Sequence, residues 1–188
     1  MPRPRQFDEA AVLERARDLF WERGYAATSI QDLEKGLGIK RSSLYSVFGS
    51  KRALYERTLR KYQADNLAYL RAHFARGGDL RDAVRAMFMR AVDAQLHDPD
   101  RPVGCYIVGA TSELAAVDAE IFAFIADNRA VFVDILTTAF TDQGHAAAEA
   151  ATTANFLFTF YNGLQIAIKT GMDRAALCRV VDTAVARI

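Results

Sequence analysis

The chain has 188 residues, 51% of them hydrophobic and 25% charged, and its formal net charge is +1. This composition is typical of a folded globular protein and excludes collagen-like, low-complexity and intrinsically disordered classes. The charge is unevenly divided, because residues 1–76 carry 15 Lys and Arg against 9 Asp and Glu, whereas residues 77–188 carry 9 against 14. A basic first part joined to an acidic second part indicates a polyanion-binding module attached to a different kind of domain.

Cysteine usage and apolar runs favour the cytoplasm. Cys105 and Cys178 are too few for a secreted disulfide framework. The N-terminal segment has no apolar stretch typical of a signal peptide, and charged or polar residues interrupt each apolar run before the ~20 residues that a membrane span needs. The 3 histidines are far apart in the sequence. We therefore expect a cytoplasmic protein with no membrane partner, no metal site and no cofactor.

Helical periodicity covers almost the whole chain and predicts an all-α fold. In the first part it predicts one helix ending at Gly24, a second ending at Gly36 or Gly38, a third over 40–48, and a long one from Ser50 to Phe74. In the second part it predicts helices over 80–96, 103–114, 118–140 and 145–170, and a last one that begins after Asp173. The stop signal Gly77-Gly78-Asp79 gives a first domain of residues 1–49, a connector helix of about 50–76 and a second domain of residues 77–188.

The stretch from Thr28 to Tyr55 carries most of the functional information. Two short helices separated by a turn at Gly38, with an apolar helix before them, form a helix-turn-helix pattern. Apolar residues at 39, 44 and 48 hold the second short helix. Its outer face then carries hydroxyl and basic side chains, which can approach a DNA groove and reach base edges or phosphates. From the residues alone, an ordinary helical hairpin with a solvated polar face remains the alternative.

This stretch resembles the DNA-binding domain of the TetR family of bacterial repressors. The landmarks that carry the resemblance are Gly24-Tyr25, Thr28-Ser29, Gly38-Ile39, Leu44-Tyr45, Phe48, Ser50-Lys51 and Leu54. Two departures are Gly36-Leu37, where the family usually has Ala, and Ser42, where Gly is common.

The resemblance implies an N-terminal three-helix helix-turn-helix domain and a C-terminal helical domain for ligand binding and dimerisation. The third helix is expected in the major groove, with Arg41, Ser42 and Ser43 as base readers and Thr28, Tyr45 and Lys51 as phosphate anchors. The full candidate DNA-binding set is Thr28, Ser29, Lys40, Arg41, Ser42, Ser43, Tyr45, Ser46 and Lys51. Arg3 and Arg5 lie on a Pro-rich arm that either follows phosphates or a narrow minor groove, or is a solvated tail.

The last two predicted helices favour a homodimer. Apolar residues occupy nearly the whole circumference of the helix over 145–170, and such a helix must be buried. Together with the last helix it suggests a four-helix bundle across a two-fold axis, bound to a palindromic DNA operator. The alternative is that both helices complete the core of a monomer.

Aromatic residues are concentrated in the second domain, where the family holds its small-molecule effectors. The candidate ligand residues are Phe88, Tyr106, Phe124, Phe132, Phe158, Tyr161 and Gln165. Such a set favours a flat aromatic or hydrophobic ligand. For each single residue, a place in the core is the competing interpretation.

Cys105 offers a second route to regulation. A thiol at a helix N-terminus has a lowered pKa, and some TetR-like repressors sense electrophiles or oxidants with a cysteine in this region. A small buried side chain is the alternative for Cys105. The leading interpretation is a homodimeric repressor released from its operator by a ligand; the rivals are a thiol-sensing repressor and a helical ligand-binding protein without DNA. No spacing typical of a catalytic site occurs, so no enzyme is expected.

Overall fold

The computed structural model describes residues 8–188, apart from the side chain of Gln95, and every regular element in that range is a helix. The first helices are α1 (Glu9–Arg23), α2 (Ile30–Leu37), α3 (Arg41–Phe48) and α4 (Lys51–Phe74). The others are α5 (Leu80–Val92), α6 (Ala94–His97), α7 (Tyr106–Leu114), α8 (Ala119–Asp142), α9 (Ala147–Lys169) and α10 (Arg174–Val185). The predicted all-α fold is confirmed. Arg3 and Arg5 lie outside the described residues.

Local signals set the helix ends of the first part. The Asp8 carboxylate accepts a hydrogen bond of 2.9 Å from the backbone N–H of Ala10 and so begins α1. Ser29 caps α2, and Gly38 ends it in the left-handed conformation with φ of 66°. A residue with a side chain is strained at that φ, which is why glycine suits the turn between α2 and α3.

Two predicted helix boundaries in the second part are wrong. The helix that begins at Leu80 breaks at Asp93, whose carboxylate accepts a hydrogen bond of 2.7 Å from Nε of Arg174. The chain resumes as the short α6. The helix predicted from Val103 starts at Tyr106 instead, because Gly104 has a φ of 85°, which is incompatible with an α-helix.

The chain divides into two compact units, of which one ends at Gln63 and the other begins at Ala64. The division lies inside α4, within the segment of about 50–76 that the sequence analysis assigned to a connector helix. The two halves of α4 have different cores. In the first unit, the ring of Tyr55 packs edge-on against Phe20 of α1, with 5.1 Å between centroids. Leu67 belongs to the core of the second unit.

The core of the second unit is built by α5, α8, α9 and α10 together with the end of α4. Its most completely buried side chains include Val84 and Phe88 of α5, Leu136 of α8, Leu157 of α9 and Val181 of α10. Among the described helices, none combines the length and the apolar composition that crossing a bilayer requires.

Candidate nucleic-acid interface and open cavity

A capping box fixes the start of α2. The Ser29 hydroxyl accepts a hydrogen bond of 3.1 Å from the backbone N–H of Asp32, and the Asp32 carboxylate accepts one of 2.8 Å from the backbone N–H of Ser29. The Ser29 side chain also donates to that carboxylate, and these hydrogen bonds hold the pKa of Asp32 below its usual value. Ser29 is exposed, so it remains at the surface while it caps the helix.

Thr28 requires a correction to the predicted set of phosphate anchors. Its side chain is 0% exposed, and its hydroxyl donates a hydrogen bond of 2.6 Å to the carbonyl oxygen of Gly24. This bond closes the turn between α1 and α2. The structure therefore gives the Thr28 hydroxyl a role inside the fold, where a phosphate cannot reach it.

One face of α3 is open and rich in hydrogen-bond donors. We call the exposed residues Lys40, Arg41, Ser42, Tyr45 and Ser46 the α3 face. The predicted base reader Ser43 is half-buried beside it, while Leu44 and Phe48 point into the core. The guanidinium carbon of Arg41 lies 5.4 Å from the centroid of the Tyr45 ring. The α3 face has the chemistry that reads base edges and contacts phosphates.

The N-terminus of α3 is capped from a neighbouring helix. Lys40 occupies the N-cap position but makes no side-chain cap. Instead the carboxylate of Glu34, in α2, accepts a hydrogen bond from the backbone N–H of Arg41. The sequence analysis missed this residue, because a cap seven positions upstream has no local signature.

Lys51 lies in the first turn of α4, where the hydroxyl of Ser50 accepts a hydrogen bond of 2.9 Å from the backbone N–H of Ala53. Its ammonium nitrogen is 4.2 Å from the centroid of the Tyr25 ring. That ring packs in turn against Tyr55, with 4.8 Å between centroids. Lys51 is thus held at a helix N-terminus, a place that favours anions.

The second unit contains a cavity of about 660 Å³ that is open to solvent on one side. Its wall is formed by residues of α4, α5, α6 and α9 and of the loop before α7: Tyr69, Arg85, Ala86, Met89, Arg90, Ala91, Asp93, Ala94, His97, Asp98, Arg101, Gly104, Tyr161 and Gln165. The loop packs closely on α9, since a Cβ atom added at Gly104 would lie 3.3 Å from Cβ of Lys169.

The predicted ligand residues divide between this cavity and the core. Tyr161 and Gln165 line the cavity. Phe88, Tyr106 and Phe124 are buried and belong to the packed interior rather than to the cavity wall.

Phe132 and Phe158 also pack against each other instead of lining the cavity. Their ring centroids are 5.3 Å apart, and the Phe132 centroid lies 5.6 Å from that of Tyr161. Aromatic spacing in the sequence is the same for a core as for a cavity wall, so the pattern alone does not distinguish the two. No pattern in the sequence identified the arginines that line the cavity.

Cys105 occupies the N-cap position of α7 and is half-buried. It is close enough to the Tyr161 hydroxyl to affect its ionisation. Burial raises the pKa of Tyr161 above its usual value, and the neighbouring Cys105 raises it further. Cys105 thus lies at a helix N-terminus, and its role as a thiol sensor stays a prediction.

The surface of α9 differs from the prediction that it is apolar all round. Thr152, Asn155, Thr159 and Gly163 are exposed on one side of the helix. Large apolar side chains are exposed as well. Phe156 and Ile166 lie among these residues on α9, and Val180 lies on α10. Exposed apolar side chains between small residues are typical of a surface that another helix covers.

Comparison with known proteins places residues 12–58 in a described family. They match the family model "Bacterial regulatory proteins, tetR family". An uncharacterized HTH-type transcriptional regulator of Bacillus subtilis, YezE, is 39% identical over 121 residues, which are 64% of this chain and 62% of that protein. The matched region thus spans less than two thirds of that relative. The HTH-type transcriptional repressor ComR of Escherichia coli is 27% identical over 187 residues, covering 96% of this chain and 89% of ComR.

The whole fold is also similar to solved structures. A cysteine mutant of the TetR family transcriptional regulator CifR, complexed with 26-bp double-strand operator DNA, superimposes with a TM-score of 0.84 and 28% identity, covering 98% of both chains. The similarity therefore includes the second unit as well as the segment that matches the family model.

Proposed function

We propose that this chain is a member of the TetR family of bacterial regulatory proteins and a DNA-binding transcriptional repressor that works as a homodimer and leaves its operator when a small-molecule effector binds. The α3 face carries the first part of this proposal. It is exposed, it bears two basic and three hydroxyl side chains, and two caps hold the helices beneath it. A helix of this kind fits the major groove, where Arg41 can form two hydrogen bonds to a guanine.

The test of DNA binding is a mobility-shift assay with the DNA upstream of the chain's own gene. A discrete complex that survives an excess of unrelated DNA is expected. Binding of equal strength to both DNAs contradicts a sequence-specific regulator. No binding at any salt concentration favours the alternative of a helical ligand-binding protein without DNA.

Exposed apolar residues on α9 and α10 support the dimer. Ile166 is 52% exposed in the single chain, and Phe156 and Val180 are 41% exposed. Pairing of α9 and α10 with the same helices of a second copy buries these side chains in a four-helix bundle. Two recognition helices about 34–36 Å apart then meet successive major grooves, so the operator is expected to be palindromic.

The effector part of the proposal depends on the cavity and on α4. Tyr69 of α4 lines the cavity, and its ring lies 3.9 Å from the guanidinium carbon of Arg90. Because α4 is one continuous helix from Lys51 to Phe74, it is the segment through which displacement of Tyr69 is proposed to act on the DNA-binding helices. Release requires that the ligand prefer the conformation with low operator affinity, and a switch from 1:99 to 99:1 needs about 5.5 kcal/mol of differential affinity.

Regulation through Cys105 is the second candidate, favoured by its N-cap position and its proximity to Tyr161. In the probing reaction the thiolate sulfur adds to the double bond of N-ethylmaleimide, and the adjacent carbon takes up one proton. Operator release that is lost in Cys105→Ser and kept in Cys178→Ser supports a thiol sensor. Release that persists in Cys105→Ser contradicts it.

A further inference from the structure

Tyr25 lies in the turn between α1 and α2, which hydrogen bonds hold at both ends. The backbone N–H of Gly24 donates a hydrogen bond of 2.8 Å to the carbonyl oxygen of Phe20, and the Thr28 hydroxyl donates one of 2.6 Å to the carbonyl oxygen of Gly24. The backbone that carries Tyr25 is therefore fixed, which is the first requirement for a side chain that positions another.

Two buried aromatic residues hold the Tyr25 ring. Its centroid lies 4.8 Å from that of Tyr55 and 6.2 Å from that of Phe20, and both of these neighbours are 1% exposed. Aromatic rings attract each other at such separations. Tyr25 itself is half-buried and stays at the edge of this cluster. The orientation of its ring is thus set by the core of the first unit.

The Lys51 side chain packs against this ring. Its ammonium nitrogen is 4.2 Å from the ring centroid, well inside the separation of about 6 Å within which a cation and an aromatic face attract each other. Lys51 is half-buried. A lysine on an open surface samples many rotamers, and the contact with Tyr25 restricts this one to a few of them.

The helix dipole of α4 works against the position of Lys51. A positive charge in the first turn of a helix is disfavoured, and the first turn of α4 contains no acidic residue. Arg52, the other cation of that turn, is paired with Glu56 one turn later. The Tyr25 ring supplies an attraction that opposes the dipole and keeps the Lys51 ammonium beside the start of the helix.

We propose that Tyr25 is a positioning residue for DNA binding, whose ring holds the Lys51 ammonium in the place from which it contacts a phosphate of the operator. The inference rests on the function proposed above and on the phosphate contact expected of Lys51. Ordering a flexible lysine when DNA binds costs conformational entropy, and a side chain already ordered in the free protein avoids part of that cost. The aromatic face does not neutralise the ammonium, so its charge stays available to the phosphate.

Proton NMR of the full chain tests the contact without DNA. The ring current of Tyr25 shifts protons above its face upfield. The ε-methylene protons of Lys51, assigned by their loss in Lys51→Met, are therefore expected upfield of those of the exposed Lys40. The upfield shift should persist in Tyr25→Phe and vanish in Tyr25→Leu. Equal positions for the two lysines in the wild-type protein overturn the proposal.

Operator binding by the same variants tests the positioning role. Tyr25→Leu is expected to weaken binding about twofold to tenfold, the effect of having to order one more flexible side chain. Tyr25→Phe keeps the aromatic face and should bind as the wild type does. Unchanged affinity in Tyr25→Leu overturns the proposal. Equal weakening in both variants also overturns it, because the phenol hydroxyl is then responsible.

A double-mutant cycle separates positioning from a loss of folding, because Tyr25 also packs on the core of the first unit. In a Lys51→Met background, Tyr25→Leu should no longer weaken operator binding, since the side chain that it positions is gone. A folding defect weakens binding in that background too, and this result overturns the proposal. Arg52→Met is the matched control in the same turn and should leave the full effect of Tyr25→Leu in place.

The wild-type protein and Lys51→Met separate this proposal from the proposed function. If the wild type binds no operator, the proposed function fails and the positioning role fails with it. If the wild type binds its operator and Lys51→Met binds equally well at every salt concentration, DNA binding stands and the role of Tyr25 alone is overturned.

Discussion

The carboxylate of Glu34 in α2 accepts a hydrogen bond from the backbone N–H of Arg41, the first residue of α3. The bond joins the two helices of the helix-turn-helix across the Gly38 turn. It also satisfies one of the backbone donors that a helix N-terminus leaves unpaired. The position of the α3 face thus depends on a residue that is not part of that face.

Glu34→Ala is expected to lower the free energy of unfolding by about 1 kcal/mol, the usual cost of losing a side-chain cap. Operator affinity falls with it, because α3 loses its attachment to α2. Glu34→Gln keeps an acceptor oxygen and removes a negative charge close to DNA, so it should bind the operator at least as well as wild type. Urea unfolding and mobility shifts measure both effects, with Glu14→Ala, exposed on α1, as the control. Equal loss of affinity in the two Glu34 variants contradicts a capping role.

Arg41→Ala is expected to weaken operator binding by about 1–3 kcal/mol and to relax base preference at one position, as the loss of a bidentate base contact does. Arg41→Lys keeps the charge but cannot form the planar pair, so it should lose preference while its salt dependence stays that of wild type. Binding to a set of single-base operator variants measures this. If Arg41→Ala weakens binding to all of them equally, Arg41 contacts phosphate instead of a base.

Lys51→Ala should weaken binding to every DNA sequence to the same extent. Loss of one phosphate contact lowers the slope of log K against log salt concentration by about one. Mobility shifts at several salt concentrations give that slope, and Arg71→Ala, exposed near the other end of α4, serves as the control. An unchanged slope in Lys51→Ala places Lys51 outside the interface.

The dimer can be tested at Ile166. Equilibrium sedimentation is expected to give a dimer at micromolar concentration, and Ile166→Asp to shift it toward the monomer because a buried carboxylate lacks a partner. Leu96→Asp is a control at a side chain that is 68% exposed on α6. A wild-type monomer, or a dimer unaffected by Ile166→Asp, contradicts pairing through α9.

Gly104→Ala and Gly171→Ala form a matched pair. Both glycines have a similar left-handed φ, 85° and 83°, but a Cβ added at Gly104 meets Lys169 and Gln165 whereas one at Gly171 meets open space. The backbone strain costs each variant about 1–2 kcal/mol. Gly104→Ala is expected to lose more stability than Gly171→Ala, measured by urea unfolding. Equal losses in the two variants contradict a close packing of the loop against α9.

The sequence predicted what local signals determine. Ser29 and Gly38 mark the ends of α2 by their own backbone chemistry, so those boundaries agree with the structure. The helix breaks at Asp93, whose carboxylate is paired with Arg174, 81 positions later, and no short window of sequence contains both residues. Glu34 was missed for a similar reason.

Cavity residues are harder to predict than helices. Phe88 and Tyr161 lie on helices whose periodicity identifies a buried side, and that side serves both the core and the cavity. Helical periodicity does not show whether a ring on that side packs in the core or lines the cavity. Arg90 and Arg101 belong to the wall because of how α5 and the loop before α7 are placed, which a charge count cannot reveal.

The buried hydroxyl of Thr28 has a consequence for genetics. Thr28→Val removes the donor to Gly24 and lowers the amount of folded protein, and poorly folded subunits are degraded before they assemble. Arg41→Ala is expected to leave the fold intact, so with the proposed homodimer it enters mixed dimers with a single working half in a cell that also carries the wild-type gene. The first allele is therefore expected to be recessive and the second dominant, although both lose repression when they are present alone.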